Sequence, residues 1–138
     1  MIVITSVLVA IAVPAFSSIS TRSRYNSAHS SFLSIDRAAK LYQIDWGGLP
    51  PNAAVGEMPP ELSIYLQADV FAKPSPFGRA WDWNGPGSGI ADHGPNLSIH
   101  TTTREHQDAM EQAFDDGSDT TGIYRRQSHY VVFPITTP

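Results

Sequence analysis

The stretch VLVAIAVPAF, Val7 to Phe16, closes an N-terminal run in which no residue is charged and only Thr5 and Ser6 are polar. Coiled as a helix, Met1 to Phe16 rises about 1.5 Å per residue and covers about 24 Å, short of the roughly 30 Å that a complete membrane crossing needs. By length it is a partial span. A cleaved signal peptide is the first rival, but it carries a positive segment ahead of its apolar core and a small-x-small cleavage site behind it. Nothing positive precedes this run, and more helix follows it.

The continuation is amphipathic. Tyr25, Ala28, Phe32, Ile35, Ala39 and Tyr42 recur three or four residues apart and line one face, whereas Arg24, Asp36, Arg37 and Lys40 lie off that stripe. The pattern stops at Gly47 and Gly48, with Pro50 and Pro51 just beyond, as a helix end does. One helix from about residue 2 to about residue 44 accounts for both parts, with an apolar stem at 1–16 and an amphipathic stretch at 17–46. Such length is unusual in so short a chain. Pro14 inside it costs roughly 3 kcal/mol in a soluble helix interior but is tolerated where neighbouring helices re-satisfy the freed carbonyl, so it suggests a packed or lipid setting. The alternative is that Pro14 opens the helix at its first turn.

At 138 residues the chain has room for one folded body, and its net charge of −4 leaves no basic surplus for a phosphate backbone, so nucleic acid is not an expected partner. With no cysteine there is no disulfide, no thiolate nucleophile and no thiolate metal site. Glu105, Asp108, Glu111, Asp115, Asp116 and Asp119 fall in a stretch without Lys or Arg, which reads as a solvated acidic face.

The segment VITSVLVAIAVPAFSSISTRSRYNSA resembles the N-terminal helix of type IV pilins and of the pseudopilins of type II secretion systems: an apolar stem, a proline before a small residue and an aromatic, then a polar helix with Arg and Tyr. The family's basic leader, Gly-Phe junction and stem glutamate have no counterpart. Aligning Pro14 with the family's stem proline puts Met1 inside the mature sequence, and the chain reads as truncated at its start. The resemblance implies that Val3, Ile4, Val7, Leu8, Val9, Ile11, Val13, Pro14 and Phe16 form a membrane and assembly stem. It also implies a filament of like subunits, partners among other pilin-like subunits and the inner-membrane assembly machinery, and a periplasmic or extracellular domain of a bacterium. Arg22 and Arg24 after the stem would by themselves put the C-terminal side in the cytoplasm, opposite to the family's orientation.

Residues 47–138 read as a small α+β domain. Asp45 to Pro60 is a Gly- and Pro-rich loop; Leu62, Tyr65 and Leu66 predict a short helix over 60–67, and 69–77 a connector. Alternation predicts strands at 79–84, 95–100, 122–126 and 129–134, with a further candidate at 88–92. Between them, Thr102 with Glu105 forms a capping box, and Ala109, Met110, Ala113 and Phe114 an apolar face, for a helix over 103–114. The expected fold is a long N-terminal helix packed by its C-terminal half on a small antiparallel sheet, with a short second helix and an inserted helix. That order fits the pseudopilin body, and KPSPFGRAWDW is similar to the family's lead-in to its first strand. Many major pilins close their C-terminal region with a disulfide, which this chain cannot form. The resemblance therefore tilts toward a pseudopilin or minor pilin.

Little in the chain points to chemistry. DDGSD offers Asp115, Asp116 and Asp119 as oxygen ligands for calcium, which the resemblance implies because related pseudopilins hold it in their C-terminal region, but the spacing is not that of an EF-hand and a polar turn is the commoner reading of such a stretch. His93, His100, His106 and His129 lack the helical pairing of a zinc protease, no serine sits in a nucleophile elbow, and GPGSG has neither the lysine nor the helix of a phosphate loop. No enzyme and no cofactor is expected. Trp81 and Trp83 share one strand face and would serve either the core or, in a membrane-anchored binding domain that does not polymerise, a platform for carbohydrate or peptide. Arg125 and Arg126 read as rim charges.

Overall fold

The computed structural model describes the backbone of residues 2–88, 94–100, 103–116, 121–127 and 129–135, and the side chains among them from Ser20 onward except Arg126 and Gln127. The chain is α+β. A single α-helix, α1 (Ile2–Trp46), runs for 45 residues through Pro14. It stops where Gly47 takes φ 77° and returns its N–H to the Gln43 carbonyl at 2.8 Å, a left-handed closure that a side chain would strain. Next come a 3-10 helix (Pro60–Ile64), α2 (Asp69–Ala72), β1 (Trp81–Asn84), β2 (Asn96–His100), α3 (Arg104–Phe114), β3 (Arg125–Gln127) and β4 (Tyr130–Pro134).

The strands form one antiparallel sheet in the order β1-β2-β4-β3. Register places Trp81 opposite Ile99 and Ile99 opposite Val131, and Trp83 opposite Leu97 and Leu97 opposite Phe133, so six large apolar side chains share one face. That face meets the stripe on α1: Ala28, Phe32, Ile35 and Ala39 are buried in the same cluster. Phe32 is at its centre, edge-on to Trp81 at 5.3 Å and to Tyr124 at 5.4 Å, and stacked on Phe133 at 5.1 Å. Each such side chain contributes about 1.5–3 kcal/mol by burial, so this seam dominates the domain's stability.

The outer edge of β1 is covered by the loop after α1. Gly56 donates its N–H to the Trp81 carbonyl at 2.7 Å, and the Trp83 indole N–H reaches the carbonyls of Pro50 and Pro51 at 3.3 and 3.1 Å. Gly85 lets the loop approach: a Cβ there would lie 2.6 Å from Asn52 N and 2.7 Å from the Pro50 carbonyl oxygen. The edge is thereby closed to further strand pairing. On the sheet's other face Asn84 donates to Asn96 Oδ1 and Ser98 Oγ at 3.1 and 3.3 Å, a buried polar ladder whose members satisfy one another.

Several expectations need correction. The 60–67 helix is a 3-10 turn ending at Ile64, because consecutive prolines at its start withhold backbone donors. The 69–77 connector contains α2, closed by Lys73 N–H on the Asp69 carbonyl. α3 is capped by Thr103, whose hydroxyl accepts from the His106 N–H, not by Thr102, which lies outside the described residues. Its buried side is Gln107, Met110 and Glu111, while Ala113 is exposed, because an open cavity separates it from Thr21, Arg22, Tyr25 and Asn26 of α1. The first strand begins at Trp81 and the third at Arg125; of the candidate strand 88–92, Ser88 is not in a strand and the rest lies outside the described residues.

Candidate functional site

The acidic end of α3 is where the chain brings most titratable groups together. Asp115 leaves the helix in an extended conformation, and its Oδ2 accepts the Tyr124 N–H, nine residues on. Asp116 Oδ2 accepts from the Thr121 hydroxyl at 2.9 Å. Gly122, at φ 85°, passes so close to the Asp115 carboxylate that a Cβ would overlap it. Glu111, one turn upstream and 4% exposed, completes a trio whose ligand oxygens lie within 4.8 Å of one another. Asp119 lies outside the described residues. The sequence reading missed Glu111, although i, i+4 spacing from Asp115 puts both on one helix face.

Calcium takes six to eight oxygens in a flexible shell. Of this trio's three carboxylates, Asp115 and Asp116 pin the segment after α3. Through Tyr124 the brace reaches α1. Burial, with Asp115 and Glu111 beside it, pushes the Tyr124 phenol far above its ordinary pKa, and its hydroxyl is hydrogen-bonded to His29 Nδ1 at 2.5 Å. Burial shifts His29 the other way, below the ordinary imidazole value, which favours the neutral ring. The imidazole also lies flat on Phe114, with centroids 4.4 Å apart.

The remaining candidates scatter. Trp81 and Trp83 are in the core, 2% and 0% exposed, and offer no stacking platform. His106 lies between Phe77 and Tyr25, and His100 between His129 and Tyr130, while His93 is outside the described residues. Among the described residues no histidine joins a group of three metal-ligating side chains. The start of GPGSG is a turn pinned to the preceding loop, Ser88 Oγ donating to Asn52 Oδ1 at 2.8 Å. Arg125 is half-buried; the Arg126 side chain is not among those described.

For the stem residues Val3, Ile4, Val7, Leu8, Val9, Ile11, Val13, Pro14 and Phe16, the described backbone is helical and the side chains are outside the description. Among the described residues no helix is long and apolar enough to cross a membrane. From Ser20 to Arg24 every side chain is exposed, and the first one buried by the domain is Ala28. Comparison with protein-family models, with curated proteins and with solved structures returns no match.

Proposed function

We propose that this chain is a structural subunit of a pilin-like filament, a pseudopilin or minor pilin of a type II secretion pseudopilus or type IV pilus-like fibre. The observation that carries the reading is the disproportion of α1: 45 residues of continuous helix, of which the domain grips only the part beyond about Tyr25. The ungripped part extends about 1.5 Å per residue, some 35 Å, and its sequence is apolar from Met1 to Phe16. An isolated helix in water is marginal, and an apolar one needs lipid or other helices around it. Neighbouring copies supply that cover in a helical, head-to-tail array, and Ala10, Ala12 and Ala15 let stems approach closely. In this reading the stem lies in a bacterial inner membrane before assembly, the domain faces the periplasm or the exterior, and other pilin-like subunits and the inner-membrane assembly machinery are its partners.

The rival reading, a membrane-anchored binding domain using Trp81 and Trp83, loses its named surface because both rings are buried. The natural absence of cysteine makes the filament reading directly testable. Ala10→Cys and Ala12→Cys chains, produced in cells and oxidised, should fractionate with membranes and form disulfide-linked dimers through the stem. A freely soluble, monodisperse chain without such dimers overturns the proposal.

A further inference from the structure

At the far end of α1 from the stem, Tyr42 and Trp46 on the helix and Pro60, Glu61 and Ile64 on the 3-10 helix line an open cavity of about 200 Å³. Its walls are aromatic and aliphatic. The Tyr42 and Trp46 rings lie nearly parallel, 20° apart, and Tyr65 stands edge-on to Tyr42. Trp46 is 69% exposed and Ile64 78%, so large apolar surface continues past the cavity mouth.

Three features give this cavity a sign. One carboxylate oxygen of Glu61, Oε2, is buried and has no hydrogen-bond partner, which is costly for a charged acceptor unless a donor arrives. The last turn of α1 contains no basic residue, so the negative end of a long helix dipole faces this surface uncompensated, with Asp45 adding to it. From Leu41 to Ala72 the chain carries Asp45, Glu57, Glu61 and Asp69 and no Lys, Arg or His. Of these, only Asp69 takes part in a described ion pair.

We infer that this cavity receives an arginine side chain of a partner polypeptide. A planar guanidinium can lie against an aromatic face while its N–H fork reaches a carboxylate, which a compact ammonium cannot do at once. Stacking on Tyr42 or Trp46 and donating to Glu61 satisfies both halves of the cavity. A polypeptide, rather than a free small cation, is favoured because Trp46 and Ile64 present apolar surface beyond the reach of one side chain, and interface anchors are enriched in Trp, Tyr and Arg. A neutral sugar would stack on the rings but leave the charge unanswered. The inference concerns the domain alone and stands apart from whether the stem builds a filament.

The test uses the full chain in a polyoxyethylene detergent, whose headgroup is neither sugar nor ammonium, and reads the Trp46 indole N–H resonance by NMR. N-acetyl-arginine amide should shift that resonance saturably, with the lysine analogue weaker and methyl glucoside without effect. Acetyl-Leu-Arg-Leu amide should bind several times more tightly than the single residue. Glu61→Gln should weaken the arginine response about tenfold, within the range of a charge-assisted contact, while the Trp81 and Trp83 resonances, unmoved, report an intact fold. Ile64→Lys, at an exposed position, should abolish the response by placing a cation at the rim. The inference is overturned by an equal response to methyl glucoside, by an arginine response indifferent to Glu61→Gln and Ile64→Lys, or by no response. Equal affinity for the tripeptide and the single residue overturns the assignment to a polypeptide.

Discussion

Two aromatic pairs of the molecule are alike in chemistry and opposite in circumstance. β1 carries Trp81 and Trp83, and the last turns of α1 carry Tyr42 and Trp46. The β1 pair is buried between the sheet's apolar face and α1, with the Trp83 indole N–H satisfied by the covering loop. Trp46 is left 69% exposed, beyond the point where the sheet stops. Aromatic content therefore does not separate core from surface here. What separates them is whether an opposing layer is present, and that depends on strand register and on where Gly47 ends the helix.

Tryptophan truncation should break the comparison most widely. Trp83→Ala should cost about 3–5 kcal/mol in chemical denaturation, from lost burial and the cavity left behind. Trp46→Ala should change stability by no more than about 0.5 kcal/mol. Equal losses would mean that the end of α1 is packed in solution.

The glycines beside the two pairs should differ in the same direction. Gly85→Ala meets backbone atoms of the 50–52 segment, which cannot swing aside as a side chain can, and should cost about 1–3 kcal/mol. Gly47→Ala meets nothing within 4 Å and bears only its positive φ, about 1 kcal/mol.

Hydrogen-bonded tyrosines sharpen the contrast through pH. His29 is hydrogen-bonded to Tyr124 and is held below its ordinary value of 6.5 by burial. Its contribution is complete above the unfolded value and lost as pH falls through 6.5 toward the lower folded value, so melting temperature should drop over that acidic window. His29→Gln should flatten this part of the profile. Tyr65 donates to Asp45 at 2.5 Å, and that bond, first among its causes, raises its pKa above 10.0. Its contribution is complete below 10.0 and lost as pH rises toward the higher folded value. Because the Tyr65–Asp45 hydrogen bond lies at the surface, Tyr65→Phe should leave the alkaline melting profile essentially unchanged.

The smallest effect belongs to metal. Asp115 and Asp116 already brace a loop and leave few free oxygens beside Glu111, so calcium followed by a chelator should move the melting temperature by less than about 1 °C. A larger reversible shift would make the trio a cation site.

Much of this architecture was legible before any coordinates. The spacing of Tyr25, Ala28, Phe32, Ile35 and Ala39 marks the face of α1 that the sheet covers, and Gly47 marks its end, because helical periodicity and a left-handed stop are local properties. Alternation likewise predicted strands at 79–84, 95–100 and 129–134, within which Trp81–Asn84, Asn96–His100 and Tyr130–Pro134 pair. Less was legible at α3, where composition suggested Ala109 and Ala113 for the buried face. The observed face includes Gln107 and Glu111, since small alanines tolerate water and the methylene stems of long polar side chains can cover apolar surface.

The sequence by itself determined a long helix with an apolar beginning, an amphipathic middle and a glycine end, followed by strands and a capped helix, because each of these is written in spacings of a few residues. Only the tertiary structure decided that β4 lies between β2 and β3, that both β1 tryptophans turn inward while Trp46 stays outside, and that Glu111 joins Asp115 and Asp116. Those outcomes depend on contacts between residues far apart in the chain, whose side chains share a surface only after strand order and register are chosen.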